Sequence, residues 1–212
     1  MKSDETSLQV AKLLLEIKAV KLSPDKPFRW ASGWNSPIYC DNRITLSYPK
    51  ARTFIRQELA KAISSRYGEV DIIAGVATAG IPQGALVAEA LGLPFIYVRS
   101  SAKEHGMGNQ IEGVVQAGAR VILIEDLIST GGSSLKAAQA VRKAGMQVMA
   151  IVSVFTYGFP QADENFKAAK VESLSLTNYA TLLEVARDNN YVAEGDLNKL
   201  NAWREQPEQW QA

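Results

Sequence analysis

The sequence predicts an α/β fold, a mostly parallel, doubly wound sheet with helices on both faces. Three observations carry the prediction. Val121, Ile122, Leu123 and Ile124 form an unbroken apolar run, as expected of a strand covered on both faces. Strand-like and helix-like patterns alternate between residues 70 and 156, which is the order of a parallel sheet with crossover helices. Gly68, Gly92 and Gly145 each fall where a helical pattern ends, the usual place of a C-terminal stop.

The elements follow in order. Residues 6–20 read as an amphipathic helix with Leu8, Ala11, Leu14, Leu15 and Ile17 on its apolar side. Residues 28–43 are aromatic-rich, and their Ser-Gly-Trp-Asn-Ser centre reads as a turn between two short strands. Pro49 suits the first turn of a helix that runs to about residue 67. Strands are expected at 70–76, 95–99, 121–125 and 147–156, with helices at 81–91 and 134–144 between them. Further helical segments are expected at 160–169, 179–189 and 194–203. No internal repeat or interdomain linker stands out, so 1–212 is expected to be one domain. Its parts would be an N-terminal helix and hairpin (about 1–45), a core (about 46–160) and C-terminal helices (161–212).

Composition narrows the function classes. The 212 residues hold 23 basic and 22 acidic side chains, a balance that argues against a dedicated nucleic-acid binder. Cys40 is the only cysteine, which fits a reducing compartment. Acids occupy the start of the chain where a signal peptide would be apolar, and no apolar run could span a bilayer. The expected location is the cytoplasm.

The segment 121–134 carries the chemistry. Glu125 and Asp126 end the buried strand and are expected at the carboxyl edge of the sheet, where open α/β folds bind ligands. Ser129, Thr130, Gly131, Gly132 and Ser133 follow, and glycines let a loop turn several amides toward one anion. The helix behind them adds its N-terminal dipole. Acids for hydroxyls or a metal, next to amides for a phosphate, describe a sugar-phosphate pocket. Neither a Walker A loop nor a dinucleotide fingerprint is present. Two other loops should reach the same edge. Residues 77–82 are small and flexible enough for a ligand to approach the backbone. Residues 99–113 hold Arg99, Lys103, three glycines and His105, the one histidine, a composition suited to closing over an anion.

The segment 121–134 resembles the phosphoribosyl diphosphate (PRPP) signature of the type I phosphoribosyltransferases. The Arg-x-x-x-Lys-x-His-Gly loop ending in Ile-Glu-Gly, and the hairpin Ser-Gly-x-x-Ser-Pro-Ile-Tyr-x-Asp at 32–41, resemble the catalytic loop and N-terminal hood of the orotate phosphoribosyltransferases. The resemblance implies the type I phosphoribosyltransferase fold and transfer of the 5-phosphoribosyl group from PRPP to orotate, giving orotidine 5′-monophosphate in pyrimidine biosynthesis. It implies Mg²⁺ held mainly through PRPP, and a homodimer in which Arg99, Lys103 and His105 act on the partner's diphosphate. Catalysis would rest on those three residues with Asp126. PRPP would also be bound by Glu125, Asp126, Leu127, Ile128, Ser129, Thr130, Gly131, Gly132 and Ser133. Ser129 would touch orotate as well.

This chain departs from some members at Ala31, Ala79 and Ser100, where they carry basic residues, and near Tyr157, where they carry an arginine. Arg43 and nearby amides are therefore candidates for the orotate carboxylate. Two alternatives stay open: a purine phosphoribosyltransferase, and a non-enzymatic nucleotide sensor of the same fold that binds RNA.

Overall fold

The computed structural model describes residues 4–30, 33–101 and 110–210. In chain order the elements begin with α1 (Glu5–Glu16), β1 (Val20–Leu22), β2 (Phe28–Arg29), β3 (Asn35–Ser36) and β4 (Ile38–Cys40). Then come α2 (Pro49–Arg66), β5 (Ile72–Val76), α3 (Gly80–Leu91), β6 (Phe95–Val98) and β7 (Ile111–Glu112). The chain continues through β8 (Arg120–Ile128), α4 (Gly132–Lys143), β9 (Gln147–Thr156) and α5 (Pro160–Ala169). It closes with β10 (Glu172–Asn178), α6 (Tyr179–Asp188) and α7 (Leu197–Glu205). Two compact units result: Met1–Ala51 with Thr177–Ala212, and Arg52–Leu176.

The unit Arg52–Leu176 holds most of a six-stranded sheet ordered β10-β9-β8-β5-β6-β7. β6 with β5, β5 with β8, and β8 with β9 pair parallel, while β7 is antiparallel to β6. Alternation along β8 makes both faces apolar. Val121 and Leu123 join a core with Ala137 and Val141 of α4, while Ile122 and Ile124, pointing the other way, are equally buried. α3 lies unusually close to the sheet through paired glycines. A Cβ on Gly75 would sit 2.8 Å from the Ile81 Cα, and one on Gly84 would sit 3.1 Å from the Gly75 Cα.

The other unit is built around the N-terminal segment and the C-terminal helices. β1 and β4 pair antiparallel, as do β2 and β3; Asn35 and Ser36, expected in the turn, are themselves the strand β3, paired with Arg29 and Phe28. Buried Trp203 meets Trp30 edge-on at 5.5 Å and Tyr179 at 5.4 Å, and its indole N–H donates to the Asn35 carbonyl. Ser7 of α1 donates to Thr177, 170 residues away, inside the same unit. The C-terminal segment thus packs with the N-terminal one, a pairing that no local signal announces.

Candidate functional site

The acidic pair sits where β8 outlasts one neighbour. Pairing with β5 ends at Gly75 and Ile124, whereas pairing with β9 continues to Ile128 and Thr156. The strand was expected to end at Glu125. It continues because β9 still supplies backbone partners, even where the β8 side chains turn polar. Glu125 is therefore the first residue beyond the pairing with β5, and the pair reaches the carboxyl edge of the sheet on that side.

Glu125 is only 5% exposed, and both of its carboxyl oxygens are held. Ser134 donates its hydroxyl to Oε2 at 3.0 Å, and the Asp126 amide donates to Oε1 at 3.2 Å. Burial lifts the Glu125 pKa well above the usual carboxylate range; the adjacent Asp126 charge adds to the shift, and the Ser134 hydroxyl opposes it. A raised carboxyl binds more protons in the folded state. Its stabilising contribution is complete below the unfolded pKa and is lost as pH rises through the folded one. Glu125→Gln is therefore expected to reduce the drop in melting temperature of the ligand-free protein between about pH 6 and about pH 9. An unchanged drop would show that Glu125 does not titrate there.

Two more loops converge beside the acids. A Cβ on Gly80 would collide with the Ile124 carbonyl oxygen and come within 3.3 Å of the Glu125 Cα, so only glycine lets the start of α3 lie against this point of β8. The loop before α3 holds a cis peptide between Ala77 and Thr78. The Ala77 amide donates to the Val98 carbonyl at 2.9 Å, which brings the end of β6, and Arg99 after it, alongside.

The loop that leaves Arg99 has a defined stem. The Arg99 amide donates to the Gln110 carbonyl, and the Gln110 side chain donates back to the Arg99 carbonyl. β7 then pairs with β6, Val98 opposite Ile111 and Tyr97 opposite Glu112. This accounts for the Ile-Glu-Gly signature. Ile111 is buried, Glu112 lies 3.5 Å from the Arg99 guanidinium, and Gly113 adopts φ 112° in a place where a Cβ would crowd Ile96.

The glycine loop also differs from expectation in one detail. α4 starts at Gly132 rather than near 134, so Gly132 and Ser133 lie in its exposed first turn. The reason is Gly131, which takes the left-handed conformation (φ 78°) and turns the chain directly into the helix, with no side chain capping it. Two residues of α5 buttress the loop. Asn165 donates to the Thr130 carbonyl at 3.0 Å, and the Phe166 ring lies where a Cβ on Gly131 would stand 2.7 Å from its Cε2. Gly131→Ala combines a left-handed strain with this overlap. It is expected to lower unfolding free energy by more than about 2 kcal/mol in denaturant melts.

At one sheet edge, then, lie a buried acid beside a partly exposed one, a helix N-terminus behind a glycine turn, a close-packed small-residue loop and an arginine. That geometry suits a phosphorylated sugar. The phosphoribosyl transferase domain family matches residues 50–188. An orotate phosphoribosyltransferase of Bacteroides thetaiotaomicron is 57% identical over 202 residues, 95% of each chain. The chain belongs to the orotate phosphoribosyltransferase family. Among solved structures, the orotate phosphoribosyltransferase of Aeropyrum pernix is 28% identical and superposes with a TM-score of 0.76, covering 87% of this chain and 99% of that one. Leishmania donovani UMP synthase gives 0.79 at 28% identity; 93% of this chain matches 42% of that longer one. The type I phosphoribosyltransferase fold expected from the sequence is the fold observed.

Set against that family, the expected site residues divide into groups. Glu125, Asp126, Leu127, Ile128, Ser129, Thr130, Gly131, Gly132 and Ser133 run from the end of β8 into the first turn of α4, with Ile128 facing the core. Arg99 lies at the neighbouring strand end with Ser100 exposed beside it. Lys103, His105 and Ala31 lie outside the described residues. Ala79 immediately precedes α3. Tyr157 is a core residue, edge-on to Phe155 and stacked on Phe159, so its ring fills the interior. Arg43, in the N-terminal unit, holds Asp41 through two hydrogen bonds of 2.6 and 2.9 Å, and this pairing keeps the Asp41 carboxyl below its usual range.

Sequence reasoning missed Ser134, Asn165, Phe166 and the Glu112 partner of Arg99. Ser134, the last residue of the motif, and Glu112, within the Ile-Glu-Gly signature, carried local signals; Asn165 and Phe166 act across folded distance. Among the described residues no group of three metal-ligating side chains occurs, and no helix is long and apolar enough to cross a membrane.

Proposed function

We infer that the protein transfers the 5-phosphoribosyl group of PRPP to orotate, giving orotidine 5′-monophosphate and diphosphate. The observation that carries this is the joining of the Glu125–Asp126 pair to the Ser129–Ser133 loop at one sheet edge, in a chain of this family. Amides of the first α4 turn and the loop hydroxyls hold the 5-phosphate, assisted by the helix dipole. Glu125 and Asp126 hold the ribose hydroxyls and favour positive charge as the anomeric bond breaks. Arg99, Lys103 and His105 stabilise the charge that grows on departing diphosphate, more strongly once water is excluded. Orotate N1, deprotonated, then bonds to the anomeric carbon. Ser129 contacts the base, and Arg43, oriented by Asp41, is the proposed contact for its carboxylate.

Mg²⁺ is the proposed cofactor. It would be carried by PRPP oxygens and waters, with Asp126 the more accessible carboxylate of the pair. When bound it supplies charge neutralisation on the diphosphate. Two copies form a dimer, each lending its 99–113 loop to its partner's site, and the enzyme works in the cytoplasm. The whole chain acts as one phosphoribosyltransferase domain. The limits of its two compact units fall inside α2 and β10 rather than in linkers, which supports this.

Incubation with PRPP, Mg²⁺ and orotate should deplete orotate and yield orotidine 5′-monophosphate in equal amounts. Diphosphate release without that nucleotide would contradict the reading.

A further inference from the structure

We propose that Ser134 is a positioning residue for phosphoribosyl transfer, holding Glu125 in the orientation that meets the ribose. The proposal rests on the reading of Glu125 as a ribose contact and extends it to a residue that never touches the donor. Ser134 is 1% exposed and its hydroxyl lies 3.0 Å from Glu125 Oε2, so the bond is made out of water's reach. A glutamate has three side-chain torsions to fix, and its backbone alone cannot fix them. Here the Asp126 amide holds Oε1 and Ser134 holds Oε2, one donor on each oxygen.

The placement of Ser134 adds a second role. It is the third residue of α4, whose first turn is the proposed cradle of the 5-phosphate. A serine at a helix start commonly bonds to the helix's own amides, yet α4 has no side-chain cap, and Ser134 directs its hydroxyl to the acid instead. One hydrogen bond thus ties the phosphate end of the donor site to its ribose end. Close packing of Gly80 on Ile124 already fixes the Glu125 backbone, which leaves the side chain as the part that needs a partner.

The test measures orotate-dependent diphosphate release by the full chain in Mg²⁺, varying PRPP. Ser134→Ala is expected to raise the KM for PRPP roughly tenfold, as for a buried carboxyl oxygen left without its donor, with kcat changed less than about threefold. Ser134→Cys keeps the volume with a much weaker donor and should match the alanine variant, whereas Ser134→Thr keeps the hydroxyl and should restore most of the affinity. In the double variant with Glu125→Gln, the KM should be no worse than with Glu125→Gln alone, within about twofold. Two results would overturn the proposal: an ordinary KM in Ser134→Ala while Glu125→Gln is impaired, or full additivity in the double variant. An ordinary KM in Glu125→Gln would instead overturn the ribose reading beneath it.

Discussion

Lys103→Ala is expected to lower kcat by about two to three orders of magnitude while leaving the KM for PRPP within about threefold. The argument is one of differential binding. In the proposed site PRPP would be held chiefly by the Ser129–Ser133 loop and the acidic pair, contacts made before the anomeric bond breaks. A cation that meets the diphosphate, as proposed for Lys103, would gain most as it departs, because negative charge grows there only in the transition state. Removing it therefore costs turnover more than affinity. The stem of this loop is fixed by Gln110, Ile111 and Glu112, so the substitution at 103 leaves its anchorage intact. Near-normal turnover would remove the loop from the mechanism.

Mixing Lys103→Ala and Asp126→Asn chains is expected to restore activity that neither variant shows alone. If each loop serves its partner's site, a hybrid dimer has one site carrying both defects and one site carrying neither. Random reassortment of equal amounts makes half of the dimers hybrids, so recovery should approach about one quarter of the native rate. Unshared sites would each keep a defect, and mixing would restore nothing.

The core of this arrangement was legible because buried strands advertise themselves. Residues 147–156 and 160–169 have the bounds the sequence suggests, and a hairpin closes around Gly33. What escaped has physical causes. β10 reads Glu-Ser-Leu-Ser-Leu-Thr-Asn, and its serines and threonine conceal an edge strand that lies beside β9. β7 is two residues long and follows a glycine-rich loop, so periodicity has nothing to register. The extension of β8 through Asp126 to Ile128 depends on β9, a partner remote in sequence.

The site divides along the same line. Its motif residues were evident from the run of acids, hydroxyls and glycines between 125 and 133. Its supports were not. Asn165 and Phe166 belong to a helix that local sequence marks only as amphipathic, and they reach the Thr130–Gly131 turn through tertiary packing. Tyr157 stood where some relatives carry an arginine and is instead part of the interior. Trp203, whose partners no pattern could name, is buried against Trp30 and Tyr179.

The donor half of the reaction follows from the floor of the site, and the acceptor is the sharper claim. Diphosphate release measured with PRPP and Mg²⁺ against orotate, adenine, guanine and xanthine in parallel tests it most directly. The expected result is release with orotate and background with all three purines. Release driven by a purine, or salt-sensitive RNA binding with no release from any base, would contradict the account.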